Sequence, residues 1–255
     1  MRNEKPTTLL STFDEHGSTI RGKNLVDDLI GEVSFTQMIY FYILGRMPTP
    51  AQTRILDAIL VTLVDHGILG AVSARMVYRG APDSIQGAVA AGILGMGSQF
   101  GGVMEQVGQH LDEIIVSPDP EATALGIVKA YRAAKQPLPG FGHNDFRPED
   151  PRTPKLLAVA EQEGVPGKHI AALRSLSRAV DQVLGKHLTI NATAGMAALL
   201  GEIGVPAEIM RGFAVISRTP GIVGHIREEQ QRPAGGFIGR MAQESIVYAG
   251  EKPAA

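Results

Sequence analysis

The chain has 255 residues, of which 44% are hydrophobic and 20% are charged, and its formal net charge is −2. It is long enough to bury a large core in one domain or two, and its balanced charge gives no reason to expect a nucleic acid or an anionic membrane as the main partner. Because the sequence has no cysteine, disulfides and thiolate metal sites are excluded.

Apolar residues recur at the spacing of helices along most of the chain, while long strand-like alternation is hard to find. The first helix is predicted over Phe35–Leu44 with Ser34 as its N-cap, and Thr49-Pro50 opens the second. Further helices are predicted, in chain order, over residues 82–97, 120–134, 154–163, 167–184, 192–201 and 206–216, the last of them leading into a break at 217–221. The helix over 192–201 is apolar almost all round and is therefore expected at the centre. The sequence predicts an all-α protein whose strands, if any, are short and peripheral.

Targeting segments are not evident. Residues 1–17 contain no apolar stretch of signal-peptide length. The longest nearly uncharged stretch, residues 80–104, is interrupted by glycines and carries Asp83, which argues against a membrane span. We therefore expect a cytoplasmic protein.

The loop GFGHNDFRPEDPR, residues 140–152, is the most informative interruption of the helical pattern. Pro139, Gly140 and Gly142 shape the backbone around His143, since proline restricts a loop and glycine lets it approach a ligand closely. A histidine held in a shaped loop between helices is typical of a functional site. His143 is therefore a candidate catalytic residue.

The other six histidines lie in less distinctive settings. His66 follows an apolar helix in LVDHGILG, where a helix C-cap before a turn and a functional site are both compatible with the sequence. Helix-surface or solvated positions are predicted for His16, His110, His169, His187 and His225. No pair of histidines has the spacing of a zinc site.

Four arginines, Arg147, Arg152, Arg218 and Arg240, are predicted in loops or at helix ends beside glycine or proline. A single arginine of this kind is usually a surface charge. Four of them favour the recognition of carboxylates and phosphates by planar, bidentate guanidinium groups. The motifs GxSxG, GxGxxG and GxxxxGK[ST] are absent, which argues against the common acyl-enzyme hydrolases and nucleotide loops.

Together these segments resemble the citrate synthase superfamily, and most closely the citryl-CoA lyases and the lyase domain at the C-terminal end of ATP-citrate lyase. From about Ile20 onward, IRGKNLVDDL, LVDHG, GFGHNDFRPEDPR, SRTPGIVGHIREEQ and GRMAQESIVYAG are similar, in this order, to motifs of that family. The resemblance implies a citrate synthase-like fold in which a large helical domain, residues 1–129 and 215–255, is closed over coenzyme A by a smaller helical domain, residues 130–214. It also implies at least a homodimer, with helices such as that over 82–97 packing across the two-fold axis.

The resemblance implies a role for each site residue. His143 acts on the hydroxyl oxygen of a citrate-like substrate and accepts its proton as the C–C bond breaks. Arg152 and Arg218 bind carboxylates, with His66 assisting. Two further arginines, Arg147 and Arg240, are assigned to the coenzyme A part of the substrate. No metal and no tightly bound cofactor is implied.

Two positions depart from the pattern of citrate synthases. Phe100 stands in GSQFGG where citrate synthases have a histidine that bonds the thioester enol; the lyase branch also has phenylalanine there, which favours cleavage over condensation. Asn191 of the triplet Asn191-Ala192-Thr193 is kept and assigned to substrate binding, but Thr193 stands in the place of the catalytic aspartate. A threonine hydroxyl is a far weaker acid, and in the first turn of a helix it can bond to backbone instead.

The sequence thus predicts a lyase that splits citryl-CoA, or a related 3-hydroxy-3-carboxyacyl-CoA, into acetyl-CoA and oxaloacetate or another 2-oxo acid. Its expected partners are an acyl-CoA thioester and di- or tricarboxylates, and neither nucleic acid nor a membrane. Two alternatives stay open: a citrate synthase-like enzyme that acts on a different acyl-CoA, and a catalytically weak acyl-CoA-binding protein. The retained His143 favours an enzyme, because a binding protein has no chemical need for it.

Overall fold

The structure, a computed structural model, describes residues 5–97 and 102–250. Within these residues the chain begins with a three-stranded antiparallel sheet in the order β1–β2–β3, formed by β1 Ser11–Asp14, β2 Gly17–Ile20 and β3 Lys23–Asn24. Ser11 pairs with Ile20 across the first two strands. None of the strand residues is buried, so the strands are short and peripheral, as predicted.

Helices make up most of the rest, and the all-α prediction is confirmed. In chain order they are α1 Phe35–Leu44, α2 Pro50–Leu63, α3 Val72–Gly80, α4 Ile85–Leu94, α5 Val103–Val116, α6 Pro120–Ala133, α7 Arg152–Gln162, α8 Lys168–Leu184, α9 Ala192–Glu202, α10 Met210–Gln231 and α11 Gly235–Ser245. Short helical turns at Leu25–Leu29, Ile68–Ala71 and Ala207–Ile209 join them.

The predicted starts of α1 and α2 are confirmed by their hydrogen bonds. The Ser34 hydroxyl accepts from the backbone N–H of Gln37, whose side chain bonds back to the N–H of Ser34. Thr49 and Gln52 form the same reciprocal pair at the start of α2. Each pair satisfies two backbone donors that the helix itself leaves free.

The core is centred on α9, as its apolar sequence predicts. Nine of its eleven residues are buried, and it packs against α5, α7 and α8. The main buried cluster also draws side chains from α1, α2, α6 and α10. A smaller cluster of Ala74, Ala88, Ile222 and Ile226 joins α3 and α4 to α10.

The predicted break at residues 217–221 is wrong, because α10 continues through it as one helix. Pro220 inside this helix removes one backbone hydrogen bond, which normally ends or bends a helix. Here the neighbouring Gly221 lets α10 approach the end of α2 so closely that a Cβ would overlap the carbonyl oxygen of Val64. Tertiary packing therefore keeps a helix where the local sequence favours a break.

The division into domains and the question of membrane-spanning helices concern the chain as a whole. The proposed small domain, residues 130–214, begins inside α6 and ends inside α10, and the division into two domains stays a prediction. Among the described residues, no single helix combines the length and the apolar composition of a membrane span; the bent pair Pro50–Leu63 and Ile68–Gly80 reaches them only when its two helices are taken together.

Candidate active site

The loop that carries His143 is fixed by a short antiparallel bridge to the segment before α9, in which Phe141 pairs with Ile190. Gly140 and Gly142, on either side of this bridge, have φ angles of +83° and +82°, a region that side chains other than glycine avoid. A Cβ at Gly140 would also overlap side chains of α5 and α9. The two glycines therefore hold His143 close to the N-terminus of α9.

The ring of His143 has a defined orientation. Its Nδ1 accepts hydrogen bonds from the backbone N–H groups of Asp145, at 3.0 Å, and Phe146, at 3.1 Å. An imidazole nitrogen that accepts cannot carry the proton, so the neutral ring is protonated on Nε2. Nε2 lies 3.4 Å from an NH2 group of Arg152. Both groups are donors and lie side by side at one cavity. A position next to both of them therefore suits an acceptor oxygen of a ligand.

This tautomer changes the role expected for His143. A neutral ring that is protonated on Nε2 donates a hydrogen bond into the site and has no lone pair there to accept a proton. The two N–H groups at Nδ1 also hold that nitrogen in the accepting state. The geometry thus suits a donor to the substrate oxygen, and the proton-accepting role expected from the sequence is not one the neutral ring can perform.

Arg152 is held in place by Asp150, a residue that was not predicted from the sequence. The Asp150 side chain is 0% exposed and accepts from Nε and an NH2 group of Arg152, at 2.9 and 2.8 Å. It also accepts from the backbone N–H of Ala192 at the start of α9, at 2.8 Å. Burial by itself raises the pKa of Asp150, but these hydrogen bonds outweigh burial and lower the pKa overall. Asp150 is therefore a buried carboxylate that fixes the guanidinium and leaves its outer edge free for a ligand.

Arg218 comes to the site from the middle of α10 and not from the helix end that the sequence suggested. Its side chain is 13% exposed, and its Nε has no hydrogen-bond partner among the described residues. The nearest acidic group among the described residues is Asp65, with 3.9 Å between Oδ1 and the NH1 of Arg218. Burial lowers the pKa of Arg218, and the positive charge of Arg152 lowers it further. The negative charge of Asp65 acts in the opposite direction and raises the pKa. An anionic ligand would relieve the cost of burying this cation.

His66 lies just after α2 with its ring edge-on to His143, and 6.2 Å separates the two ring centroids. Burial lowers the pKa of His66, and the charges of Arg152, Arg218 and His143 lower it further, while Asp145 partly opposes them. The ring is therefore uncharged at neutral pH. Its position beside two arginines supports the functional alternative for this residue over a plain helix cap.

A cavity of about 230 Å³ brings together most of the predicted site residues. Its polar lining comes from His66, His143, Arg152, Asn191, Thr193 and Arg218, and its apolar lining from Leu63, Met96, Val103, Met104, Ala192, Met196 and Ala214. The Thr193 hydroxyl has no hydrogen-bond partner among the described residues, so it does not bond to local backbone. The cavity joins cationic and neutral donors, and this suits a ligand with several carboxylates.

Asn191 serves the architecture of this cavity. Its Oδ1 accepts from the backbone N–H of Ala194 and caps α9, at 3.2 Å. Its Nδ2 donates to the carbonyl oxygen of Gly142, at 3.1 Å. The amide thus ties the His143 loop to α9, and its part in substrate binding stays a prediction.

A larger groove of about 770 Å³ adjoins the cavity and shares His66 and His143 with it. Arg147 lines this groove, together with Lys186 and His187, two basic residues that the sequence reasoning missed. Their place shortly before the triplet Asn191-Ala192-Thr193 is a sequence signal that could have found them. The groove is suited to a long ligand with anionic groups, whose reactive end reaches the cavity.

Two predicted site residues lie elsewhere. Arg240 is exposed on α11 and lines neither the cavity nor the groove, so its assignment to the acyl-CoA stays a prediction. Phe100 lies outside the described residues.

Two histidines predicted at the surface are instead mostly buried. His225 makes hydrogen bonds to Arg75 and to Asp65, each at 2.9 Å, and its side chain is 14% exposed. His169 lies against α9 and bonds to Asp112 at 3.1 Å. In both cases the partner is distant in sequence, which is why local polarity gave the wrong prediction.

The lowered pKa of His66 leads to a prediction about binding. A carboxylate bound beside His66 favours the charged ring and raises its pKa. Between the lowered value of the free protein and the raised value of the complex, the complex holds a proton that the free protein lacks. We expect citrate binding to take up protons at about pH 6 and to strengthen as the pH falls through this range. Calorimetry in two buffers of different ionisation enthalpy measures the uptake.

The control for this prediction is His66→Gln, which removes the titrating group. The ionisation of citrate itself is the same in both experiments and cancels in the comparison. Equal proton uptake by the wild type and His66→Gln would contradict the prediction.

Comparisons with known proteins assign the family. The sequence profile described as "Citrate synthase, C-terminal domain" matches residues 11–242, and the chain therefore belongs to the citrate synthase family. Within it, the chain is similar to the citryl-CoA lyase of Hydrogenobacter thermophilus, with 33% identity, a TM-score of 0.88 and coverage of 99% of this chain and 97% of that one.

Two other similarities cover only part of the other protein. An ATP citrate lyase of Methanosaeta concilii, solved in complex with (3S)-citryl-CoA, has a TM-score of 0.77 and 18% identity; the match covers 98% of this chain and 43% of that one, and it shows the fold alone. A citrate synthase of Acidithiobacillus ferridurans is 25% identical over 87% of this chain and 56% of its own length. The chain spans about half the length of the curated relatives it matches.

Proposed function

We propose that the protein is a carbon–carbon lyase that cleaves citryl-CoA, or a related 3-hydroxy-3-carboxyacyl-CoA, into acetyl-CoA and a 2-oxo acid. The observation that carries the proposal is the convergence of His143, Arg152 and Arg218 on one cavity beside a larger groove lined by Arg147 and Lys186. The similarity to the citryl-CoA lyase of Hydrogenobacter thermophilus supports it, since it covers nearly all of both chains.

The carboxylates of the substrate are bound by the two arginines. Arg152 presents the edge of its guanidinium that Asp150 leaves free, and Arg218 presents a cation that is largely buried. Bidentate pairing with carboxylates suits both. The coenzyme A part lies along the groove, where Arg147 and Lys186 attract its phosphates.

The cleavage step converts the tertiary alcohol to a carbonyl. The hydroxyl loses its proton, the bond from the carbinol carbon to the thioester CH2 breaks, and the electron pair moves to the thioester enolate. His143 Nε2–H and the NH2 group of Arg152 donate to the oxygen and stabilise the negative charge that it carries on the way. His66, uncharged at neutral pH and lining the same cavity, provides the basic nitrogen that takes the hydroxyl proton.

The enolate carbon must then receive a proton to give acetyl-CoA. Thr193 lines the cavity but its hydroxyl is too weak an acid to match a carboxyl group. In this protein Thr193 orients the thioester or a water molecule that delivers the proton. Proton return is therefore the slow part of the reaction.

A panel of acyl-CoA thioesters tests the proposal directly. Citryl-CoA is expected to give acetyl-CoA and oxaloacetate in stoichiometric amounts, measured by chromatography of the CoA products. A protein that binds every thioester tried and releases no acetyl-CoA would overturn the proposal and leave the binding-protein alternative.

Thr193→Asp is expected to speed citryl-CoA cleavage by at least about tenfold, which is roughly 1.4 kcal/mol of barrier. The change supplies a carboxyl group at similar volume at the position where proton return is limiting. Rapid-quench measurement of acetyl-CoA gives the rate, and a new acidic limb in the pH–rate profile reports the added carboxyl. Thr193→Ser is the matched control, because it keeps the hydroxyl. A wild type that cleaves citryl-CoA faster than Thr193→Asp would contradict the role given to Thr193.

One observation favours a second candidate, a citrate synthase-like enzyme for a different acyl-CoA. Three methionines, Met96, Met104 and Met196, line the cavity that also contains Thr193. Methionine side chains adapt to irregular apolar groups. An alkyl substituent at the reacting carbon of the acyl group would pack against these methionines. In the same panel of thioesters, an acyl-CoA with such a substituent would then react faster than citryl-CoA.

We also propose a homodimer, formed across the surface of α4. Ile85 and Leu94 expose large apolar side chains at the two ends of this helix. Ala90, which lies between them on the same helix, is exposed, and its small side chain permits close approach of a second helix.

A further inference from the structure

A line of polar residues, separate from the groups that face the cavity, leads from the protein interior to Arg218. It starts at Arg75 in α3, whose side chain is 1% exposed and donates to Glu229 at 3.0 Å. Glu229, 4% exposed, also accepts from the backbone N–H groups of Ala234 and Gly235 at the start of α11. Arg75 bonds to Glu228 as well. The buried pair Arg75–Glu229 joins three helices, α3, α10 and the start of α11, and is a rigid starting point.

The next link is His225 in α10. An NH2 group of Arg75 lies 2.9 Å from Nδ1 of His225, and arginine can only donate. Nδ1 therefore accepts, and the neutral ring carries its proton on Nε2. Nε2 lies 2.9 Å from Oδ1 of Asp65, to which it donates. Arg75 thus fixes the tautomer that His225 needs in order to hold Asp65.

The last link reaches the site. Asp65 directly precedes His66, and its Oδ1 lies 3.9 Å from NH1 of Arg218. Burial raises the pKa of Asp65, but the hydrogen bond from His225 helps to lower it overall, so the carboxylate stays charged. Asp65 is the acidic group that faces Arg218 among the described residues.

We infer that His225 is a positioning residue: it holds Asp65 so that the carboxylate orients Arg218 toward the cavity. The inference rests on the proposed function, in which Arg218 binds a substrate carboxylate. His225 itself touches no substrate in this scheme. Its effect reaches the ligand through Asp65 and Arg218.

His225→Phe is expected to weaken citrate binding by about tenfold, the change that corresponds to about 1.4 kcal/mol. Phenylalanine keeps the ring and removes both hydrogen bonds. Calorimetry with citrate on the full chain measures the affinity. His110→Phe is the matched control: His110 is half-buried, has one hydrogen bond within the described residues, to Tyr131, and lines neither the cavity nor the groove. His110→Phe is expected to bind citrate as the wild type does.

A double-mutant cycle separates positioning from general support of the fold. In an Arg218→Ala background, His225→Phe is expected to cause no further loss, because the residue through which it acts is gone. Equal losses in both backgrounds would overturn the inference. If His225→Phe does not fold, Asp65→Asn replaces it in the cycle, since this change keeps an acceptor for His225 and removes the charge that faces Arg218.

A second measurement does not depend on citrate. The Arg218 Nε–H, assigned in ¹⁵N spectra by its loss in Arg218→Lys, is buried and is expected to exchange slowly with solvent. In His225→Phe its exchange is expected to speed up by at least about tenfold, as the side chain becomes mobile. Unchanged exchange would overturn the inference, whereas a wild type that exchanges slowly but does not bind citrate would overturn the proposed substrate class alone.

Discussion

Arg218→Ala is expected to weaken the binding of citrate by about 2–5 kcal/mol, because a desolvated carboxylate is left without its partner. Arg152→Ala is expected to cause a loss of the same size. Both guanidinium groups line one cavity, so a tricarboxylate can engage them together. Calorimetry gives the affinities, and Arg174→Ala on the exposed face of α8 is the control that changes only net charge.

The two arginines differ in what their removal does to the fold. Arg152→Ala leaves the buried Asp150 with backbone donors only, and breaking a buried pair from one side costs about 3–5 kcal/mol of stability. Asp150→Asn combined with Arg152→Ala removes the unpaired charge and is expected to recover part of this stability without recovering citrate binding. In the part of the chain that the structure describes, Arg218 has no such buried partner, so its variant is expected to report on binding alone. Citrate affinity within about threefold of the wild type in both single variants would remove the carboxylate site from the scheme.

The sequence was a good guide wherever a local signal decides the structure. Ser34 and Thr49 start helices because their hydroxyls satisfy backbone donors a few residues away. The uniformly apolar α9 is central because none of its sides is polar enough to be exposed to solvent. Gly140 and Gly142 could be read as markers of an unusual backbone, and they do have positive φ angles.

It was a poor guide wherever distant residues decide. Pro220 predicts a break, and the contact of Gly221 with the end of α2 overrides it. His225 follows a glycine and precedes charges, which predicts a solvated face, but Arg75 and Asp65 enclose it from 150 and 160 positions away. No local pattern records such pairings.

In the candidate site, too, some features could be predicted from local sequence and others depend on distant contacts. The residues that form it could be found from motifs, since histidines and arginines beside glycine and proline are uncommon enough to notice. The chemistry of His143 could not be found in this way, because it depends on which nitrogen meets the backbone N–H groups of Asp145 and Phe146. Asp150 escaped notice since its role is to hold Arg152 and not to face the ligand.

His143→Phe tests this reading of the ring as a donor. The substitution keeps an aromatic ring beside Phe146 and removes the Nε2–H that, in the proposed function, donates to the substrate oxygen. Loss of one such donor slows the C–C cleavage step by about 10²–10³, because the charge that develops on the oxygen is no longer stabilised, and kcat falls once this step is slower than proton return. KM for citryl-CoA is expected to change much less, since the arginines and the groove still bind the substrate. Single-turnover measurement of 2-oxo acid formation follows the cleavage step separately from binding and from proton return, and His110→Phe serves again as the control. A cleavage rate within about threefold of the wild type would show that the oxygen is stabilised elsewhere. A variant with unchanged kcat and a strongly raised KM would make His143 a binding group, and the cleavage step would then need another donor, of which Arg152 is the one already in place at 3.4 Å from Nε2.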